Sequence, residues 1–146
     1  MRQRFIQHGK AVMSVNTPEL IVAPSRVQGL GVFAATSIRK GDLVLTVSGK
    51  QGLWSDFPEE QWVRMYQVAV DIYVMPEEGS PGGFVNHSCD PSCDIRGLSL
   101  FARRDIKEGE EITFDYSENV IWKDWKMECR CGAPNCRRVL LPKTTR

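Results

Sequence analysis

The chain predicts a mainly β fold of short strands with few, short helices, in one domain of 146 residues. Three observations carry this. Short β-rich pieces recur between glycines and prolines, only one stretch carries a helix signal, and the C-terminal end is dense in cysteine and has no period at all. A chain of this length buries roughly two-thirds of its unfolded surface, enough for one core. A hydrophobic fraction of 42% and a charged fraction of 25% are those of a globular protein. The net charge of +1 creates no field to gather nucleic acid or an anionic membrane, so neither is an expected partner. No apolar run reaches the ~18 residues of a membrane span, and "MRQRFIQHGKAVMSVN" lacks the apolar centre of a secretory signal. An intracellular address is therefore expected, and a monomer or weak dimer.

Taken in order, residues 1–18 are polar and aperiodic, a loose lead-in. "ELIVAP", "GVFAA" and "DLVLTVSG" read as strands punctuated by Pro24, Gly29, Gly31 and Gly41. "SDFPEEQWVRMY" is the helix signal: Ser55 or Asp56 can cap it, Pro58 and two glutamates suit its first turn, and Trp62 with Met65 or Tyr66 makes an apolar face. "YQVAVDIYVMP" returns to strand character and "EEGSPGG" is a loop. "LSLFARRDI" and "EEITF" are further strands around a "KEGE" turn. "SIRKGDLV" and "DIKEGEEI" share a shape, each an apolar residue, charges around Lys, a glycine turn and a strand. The expected division is a lead-in over 1–18, a main domain over 19–118 and a metal-bound segment with the tail over 119–146.

That last segment cannot hold itself by burial. Ordering costs about 1–2 kcal/mol per residue, and Met127 to Arg138 offers little apolar area to offset it. "CRCGAPNC" places Cys129, Cys131 and Cys136 in a C-x-C-x4-C spacing, with Gly132 and Pro134 to turn the chain back. Five cysteines, an odd count, suit a metal better than a disulfide framework. Structural zinc takes four sulfur or imidazole ligands. The tail supplies three, so the fourth comes from His8, His87, Cys89 or Cys93. Cys89 is the preferred choice, because it would pin the tail onto "FVNHSCDP". No role is assigned to Cys93.

Four stretches together resemble the SET-domain protein lysine methyltransferases with a C-terminal post-SET zinc segment. "GLGVFA" (Gly29 to Ala34) looks like the family's G-x-G turn, "FVNHSCDP" its R-F-I-N-H-S-C-x-P-N motif, "EEITFDY" its E-E-[IL]-T-F-D-Y motif and "CRCGAPNCR" its post-SET cysteines. The resemblance covers about Glu19 to Leu141, with the motifs in the family's order. It implies a β-clip fold of curled sheets in which the Asn-His and tyrosine segments cross like a knot. It also implies S-adenosyl-L-methionine as cofactor, a lysine-bearing protein or peptide as substrate, such as a histone or a translation protein, and structural zinc.

Carried over residue by residue, Gly29, Leu30 and Gly31 would receive the cofactor's amino-acid end, and Asn86 and His87 its amino and adenine ends. Tyr66 would touch the cofactor, with Tyr73 as the alternative, and Leu140 would cover the adenine. Trp122 and Trp125 would form a lid or pack the tail. Tyr116 would border the methyl-transfer channel as an orienting and electrostatic group, since a phenol with a pKa of ~10 is a poor base at neutral pH. Phe114 stands where the family's multiply methylating enzymes carry Phe and its single methylators Tyr. The attacking lysine must be neutral, which costs about 4.6 kcal/mol at pH 7 from a pKa of ~10.4. Burial alone lowers a lysine pKa by up to ~3–5 units, so no dedicated base is needed.

This sequence departs from the family pattern at two motif positions. Gly83 stands where an arginine commonly precedes the Asn-His motif, leaving the cofactor carboxylate to another group such as Arg26. Ser92 replaces the usual Asn of C-x-P-N. The stretch between Tyr66 and Asn86 is short, and no cysteine-rich cluster precedes the domain. Two rivals remain: a zinc-stabilised module whose basic end, "CRRVLLPKTTR", touches nucleic acid, and a SET-like protein that binds without turnover.

Overall fold

In the computed structural model, residues 3–5 and 17–143 are described. The strands are β1 (Gln3–Phe5), β2 (Leu20–Pro24), β3 (Leu30–Ala34), β4 (Leu43–Thr46), β5 (Gly49–Gly52), β6 (Tyr66–Ala69) and β7 (Ile72–Pro76). They continue with β8 (Asn86–His87), β9 (Cys93–Arg96), β10 (Ser99–Ala102), β11 (Glu111–Phe114), β12 (Met127–Glu128) and β13 (Val139–Leu140). They make four small sheets, in the orders β1-β2-β3-β11-β8, β4-β10-β9, β5-β7-β6 and β12-β13. The expected mainly β architecture is therefore present. Within the stretch expected to be a loose lead-in, Gln3–Phe5 pairs antiparallel with β2.

The two similar stretches turn out to be partners. Ile38 and Ile106 exchange both backbone hydrogen bonds at 2.8 Å. Gly41 N–H donates to Ala102 C=O at 2.7 Å, and at the equivalent position Gly109 N–H donates to Ala34 C=O at 2.8 Å. Ala102 N–H reaches Asp42 C=O and Ala34 N–H reaches Glu110 C=O, both at 2.9 Å. Two strand–turn–strand units thus clasp each other about a local two-fold axis: β3 pairs with β11, and β4 with β10. Gly41 and Gly109 both hold φ near +90 (90° and 86°), which glycine reaches without steric cost. The core lies between the sheets, where Leu20, Val32, Val44, Leu45, Leu100, Ile106 and Ile112 are all at most 1% exposed. β11 is buried along most of its length because it has a neighbour on each edge, antiparallel β3 and parallel β8.

The expected helix is replaced by two 3₁₀ turns, Trp54–Asp56 and Glu59–Arg64. Pro58 is the reason. The residue before a proline is pushed out of the α region, and Phe57 is extended at φ −120°, ψ 147°. Pro58, rather than Ser55 or Asp56, sits at the start of the second turn, and the Asp56 carboxylate accepts from Leu53 N–H. Among the described residues, no helix is long and apolar enough to cross a membrane.

Candidate active site and metal centre

The crossing of β8 and β11 builds the site. Thr113 pairs with Asn86 and Phe114 with His87 in parallel register, so two segments far apart in sequence meet side by side. Just past β11 the chain turns, and Tyr116 N–H donates to His87 Nδ1 at 3.0 Å. The Tyr116 hydroxyl donates to Val85 C=O at 2.7 Å, tying both sides of the crossing. Burial, and then the Glu111 carboxylate, hold the Tyr116 phenol well above its ordinary pKa, so it stays protonated and acts as a donor. Phe114, 3% exposed, lies between Tyr66 and Tyr116 with ring centroids 5.7 and 5.0 Å away. The Tyr66 hydroxyl donates to Gly82 C=O at 2.8 Å, and burial raises its pKa too.

The Gly-Leu-Gly turn is shaped by a carboxylate. Glu111 Oε1 accepts from Ser25 Oγ at 2.7 Å and Oε2 from Asn86 Nδ2 at 2.9 Å. A Cβ on Gly31 would stand 2.5 Å from Glu111 Oε2, so only glycine admits this carboxylate, while Gly29 is needed for its φ of +48°. Asn86 Nδ2 also donates to Gln28 C=O and Leu30 C=O, each at 3.1 Å. The amide nitrogen is consumed by acceptors, which leaves Oδ1 as the atom Asn86 can offer to a donor on a ligand.

These groups line one cavity of about 900 Å³. Gly29, Leu30, Tyr66, Asn86, Phe114 and Tyr116 face it, as do Tyr73, Trp122 and Trp125. Gly31, His87 and Leu140 are not on its wall. Gly31 packs under the turn, His87 is 6% exposed behind Tyr116, and Leu140 is 1% exposed where β13 pairs with Met127. Arg26 is exposed and also off the wall.

Behind His87 lie the cysteines. One ligand atom from each of His87, Cys89, Cys129 and Cys131 falls within a 4.8 Å cluster. Cys89 Sγ is 3.8 Å from Cys129 Sγ, and Cys136 Sγ is 3.7 Å from Cys129 Sγ. Zinc–sulfur bonds of ~2.3 Å at tetrahedral angles set sulfurs about 3.8 Å apart, so these spacings fit a thiolate zinc site. Burial pushes the His87 imidazole down to about 4, against the pull of Asp115, so it is neutral. Its Nδ1 accepts from Tyr116 N–H, which puts the ring proton on Nε2, 3.3 Å from Cys89 Sγ. A metal on Nε2 would need a hydrogen on Nδ1, which that position cannot hold. His87 therefore suits a hydrogen-bond donor to a liganding sulfur better than a ligand. Cys93 stays apart in the core, 1% exposed, its thiol pushed up to about 12 by burial.

Sequence reasoning missed the link between the two centres. Asp115, the residue before Tyr116, is buried, and its carboxylate accepts from Arg137 Nη2 at 2.7 Å, Lys143 Nζ at 2.9 Å, and Ser117 N–H and Oγ at 3.0 and 2.6 Å. Arg137 N–H and Nε both point at Cys89 Sγ at 3.4 Å. A basic residue directly after the last clustered cysteine was the one available signal. The missed role of Ser92 is similar: its Oγ donates to Glu111 C=O and accepts from Thr113 N–H, each at 3.0 Å, stitching the Asn-His loop to β11.

The SET domain family matches residues 29–117, which include the glycine turn, the Asn-His crossing and Tyr116. The chain belongs to the SET-domain family. Among curated relatives, it is 34% identical over 140 residues to a Schizosaccharomyces pombe protein named histone-lysine N-methyltransferase, H3 lysine-4 specific, covering 84% of this chain and 15% of that protein. It is 33% identical over 172 residues to histone-lysine N-methyltransferase Su(var)3-9 of Drosophila melanogaster, covering 94% of this chain and 26% of the other. The Drosophila histone-lysine N-methyltransferase trr is 33% identical over 135 residues, covering 80% and 6%. The chain thus spans from 6 to 26% of the length of these relatives. A crystal structure of KRYPTONITE in complex with mCHH DNA, an H3(1-15) peptide and SAH superimposes with a TM-score of 0.61 at 25% identity, covering 81% of this chain and 28% of that one.

Proposed function

We propose that this chain is an S-adenosylmethionine-dependent protein-lysine N-methyltransferase, with histone-type peptides among its candidate substrates. The observation that carries the reading is the single cavity bounded by Leu30, Asn86, Phe114 and Tyr116. S-adenosylmethionine, when bound, supplies a methyl group made electrophilic by the adjoining sulfonium. The Asn86 Oδ1, freed by the three acceptors on Nδ2, and the carbonyls of Gly29 and Leu30 would receive a cofactor ammonium. Tyr116, held by its bond to Val85 C=O, keeps its hydroxyl at the cavity wall and orients the incoming amine. Tyr66, Phe114 and Tyr116 give the channel an apolar lining that excludes water and favours the neutral lysine. The rest is alignment of nitrogen, methyl and leaving sulfur.

Cys89, Cys129, Cys131 and Cys136 would hold a structural zinc, with His87 donating to Cys89, so residues 119–143 act as a metal-clamped wall of the site. The five unpaired cysteines suit a reducing compartment. Phe114, which has no hydroxyl to hold a water against a methylated amine, supports more than one round of methylation. The test is a thermal-shift titration with S-adenosylhomocysteine followed by transfer from labelled cofactor to a lysine peptide. A rise in Tm with transfer that Tyr116→Phe abolishes upholds the reading. Binding and transfer indifferent to Tyr116→Phe would remove it.

A further inference from the structure

The amino-acid end of the cofactor carries two opposite charges on one carbon atom, and the groups described so far answer only one. Asn86 Oδ1 and the carbonyls of Gly29 and Leu30 suit an ammonium, but as acceptors they repel a carboxylate. Gly83, where the family pattern has an arginine, leaves the place beside them open. Apart from its chain neighbours, a Cβ there would meet nothing nearer than Pro76 Cβ at 3.9 Å. Arg26, the expected substitute, is exposed and off the cavity wall.

The wall itself narrows the choice. Among the described residues, the cations that line the cavity are Arg64 and Lys126. Three neutral donors on it are already spent: the Tyr66 hydroxyl on Gly82 C=O, the Tyr116 hydroxyl on Val85 C=O, and Trp62 Nε1 on Phe57 C=O. Lys126 stands on the strap between Tyr116 and β12, with Asp124 two residues before it. Arg64, at the end of the turn that leads into β6, stands at the Asn86 segment instead. Its guanidinium lies 5.4 Å from the centroid of the Phe84 ring, one residue beyond Gly83 and two before Asn86.

Acidic neighbours do not consume this cation. Asp56, Glu59 and Glu60 share the 54–64 stretch with Arg64, and Asp71 lines the same cavity. Yet among the described residues no carboxylate forms an ion pair with the guanidinium, and that of Asp56 accepts from Leu53 N–H. These acids weaken any long-range attraction of an anion, so recognition here depends on direct contact. A guanidinium resting on an aromatic ring keeps its planar fork of N–H donors at its own edge. That fork matches both oxygens of a carboxylate.

Resting on the methyltransferase reading, we infer that Arg64 binds the α-carboxylate of the cofactor, doing from the turn before β6 what an arginine at position 83 would do. Hydrogen bonds to a charged group are worth about 10–100-fold in affinity.

Isothermal titration of the zinc-loaded protein with two ligands tests this. One is S-adenosylhomocysteine; the other is its decarboxylated analogue, which keeps the adenosine, the thioether and the ammonium. Wild type should bind S-adenosylhomocysteine tenfold or more tightly than the analogue. Arg64→Met should bring the two dissociation constants together by weakening S-adenosylhomocysteine alone, and Arg64→Lys should restore part of the difference. Arg64 is exposed, so both variants should keep the Tm of the ligand-free wild type. Equal affinities in the wild type, a preference that survives Arg64→Met, or an equal loss of both ligands would overturn the inference and leave the methyltransferase reading standing. A preference erased by Arg26→Met or Lys126→Met but kept in Arg64→Met would give the carboxylate to that residue and overturn it too. Binding of neither ligand to the wild type, with no transfer to a lysine peptide, defeats the methyltransferase reading and this inference with it, a separate and recognisable result.

Discussion

Replacing Asp115 with Asn keeps the shape of the side chain but removes the charge that draws the tail onto the Tyr116 segment. The carboxylate is 7% exposed, and Arg137 and Lys143 are 32% and 29% exposed. Breaking a fully buried pair by removing one partner costs ~3–5 kcal/mol, and an exposed pair is worth ~0–1 kcal/mol. With a buried anion, two partly wetted cations, and an amide oxygen still able to accept from Ser117, the expected loss is about 2–3 kcal/mol. For a domain near this size each kcal/mol moves Tm by ~2–4 °C, so Tm falls by roughly 4–12 °C in zinc-containing buffer. The pH dependence gives a second check. Partners from the tail, outweighing burial, hold the folded carboxyl below its ordinary pKa, so this stability is present above the unfolded value of ~3.9 and is lost as pH falls further toward the folded one. The gap between wild type and Asp115→Asn should stay constant from pH 8 to 5 and close only below about pH 4. A cycle with Lys143→Met should show coupling of about 1 kcal/mol. A Tm unchanged within 2 °C, or strict additivity of the two changes, would show that Asp115 does not anchor the tail.

Three further outcomes follow from the same geometry. Gly31→Ala forces a Cβ against Glu111 Oε2 and disturbs the acceptor that holds Asn86; isothermal titration should find S-adenosylhomocysteine binding weakened tenfold or more. Phe114→Tyr adds a hydroxyl beside Tyr66 and Tyr116, and mass spectrometry of the product peptide should shift from 28- and 42-dalton increments to 14. Chelation of zinc should expose the chain after about Met127 to limited proteolysis and weaken cofactor binding in parallel, whereas an unchanged digestion pattern counts against the metal site.

The parts legible in the sequence are those written in neighbouring residues. The Gly-Leu-Gly turn, the Asn86-His87 pair, the C-x-C-x4-C spacing and the two matching strand–turn–strand units each carry their own signal, and the structure brings Gly29, Leu30 and Asn86 together with Tyr116 around one cavity, with Gly31 and His87 off its wall. The signals that failed were those decided by remote partners or by a single local veto. Glu111 gave no sign that it would grip Ser25 and Asn86, because that depends on the register of β3 beside β11. Asp115 reads as an ordinary strand-end carboxylate until Arg137 and Lys143 fold back onto it. The apolar face around Trp62 reads as helical, but Pro58 breaks the stretch into two tight turns. β1 leaves no periodic mark at all, since three residues are too few to show one.

Methyl transfer inside the cavity bounded by Asn86, Phe114 and Tyr116 is the step most directly open to measurement. Mass spectrometry of a lysine peptide incubated with zinc-loaded protein and S-adenosylmethionine measures that directly. Additions in 14-dalton steps on the lysine are expected, lost in Tyr116→Phe while that variant still binds S-adenosylhomocysteine. An unmodified peptide from folded, zinc-loaded, cofactor-binding protein, across substrates of every flanking type, would contradict that expectation.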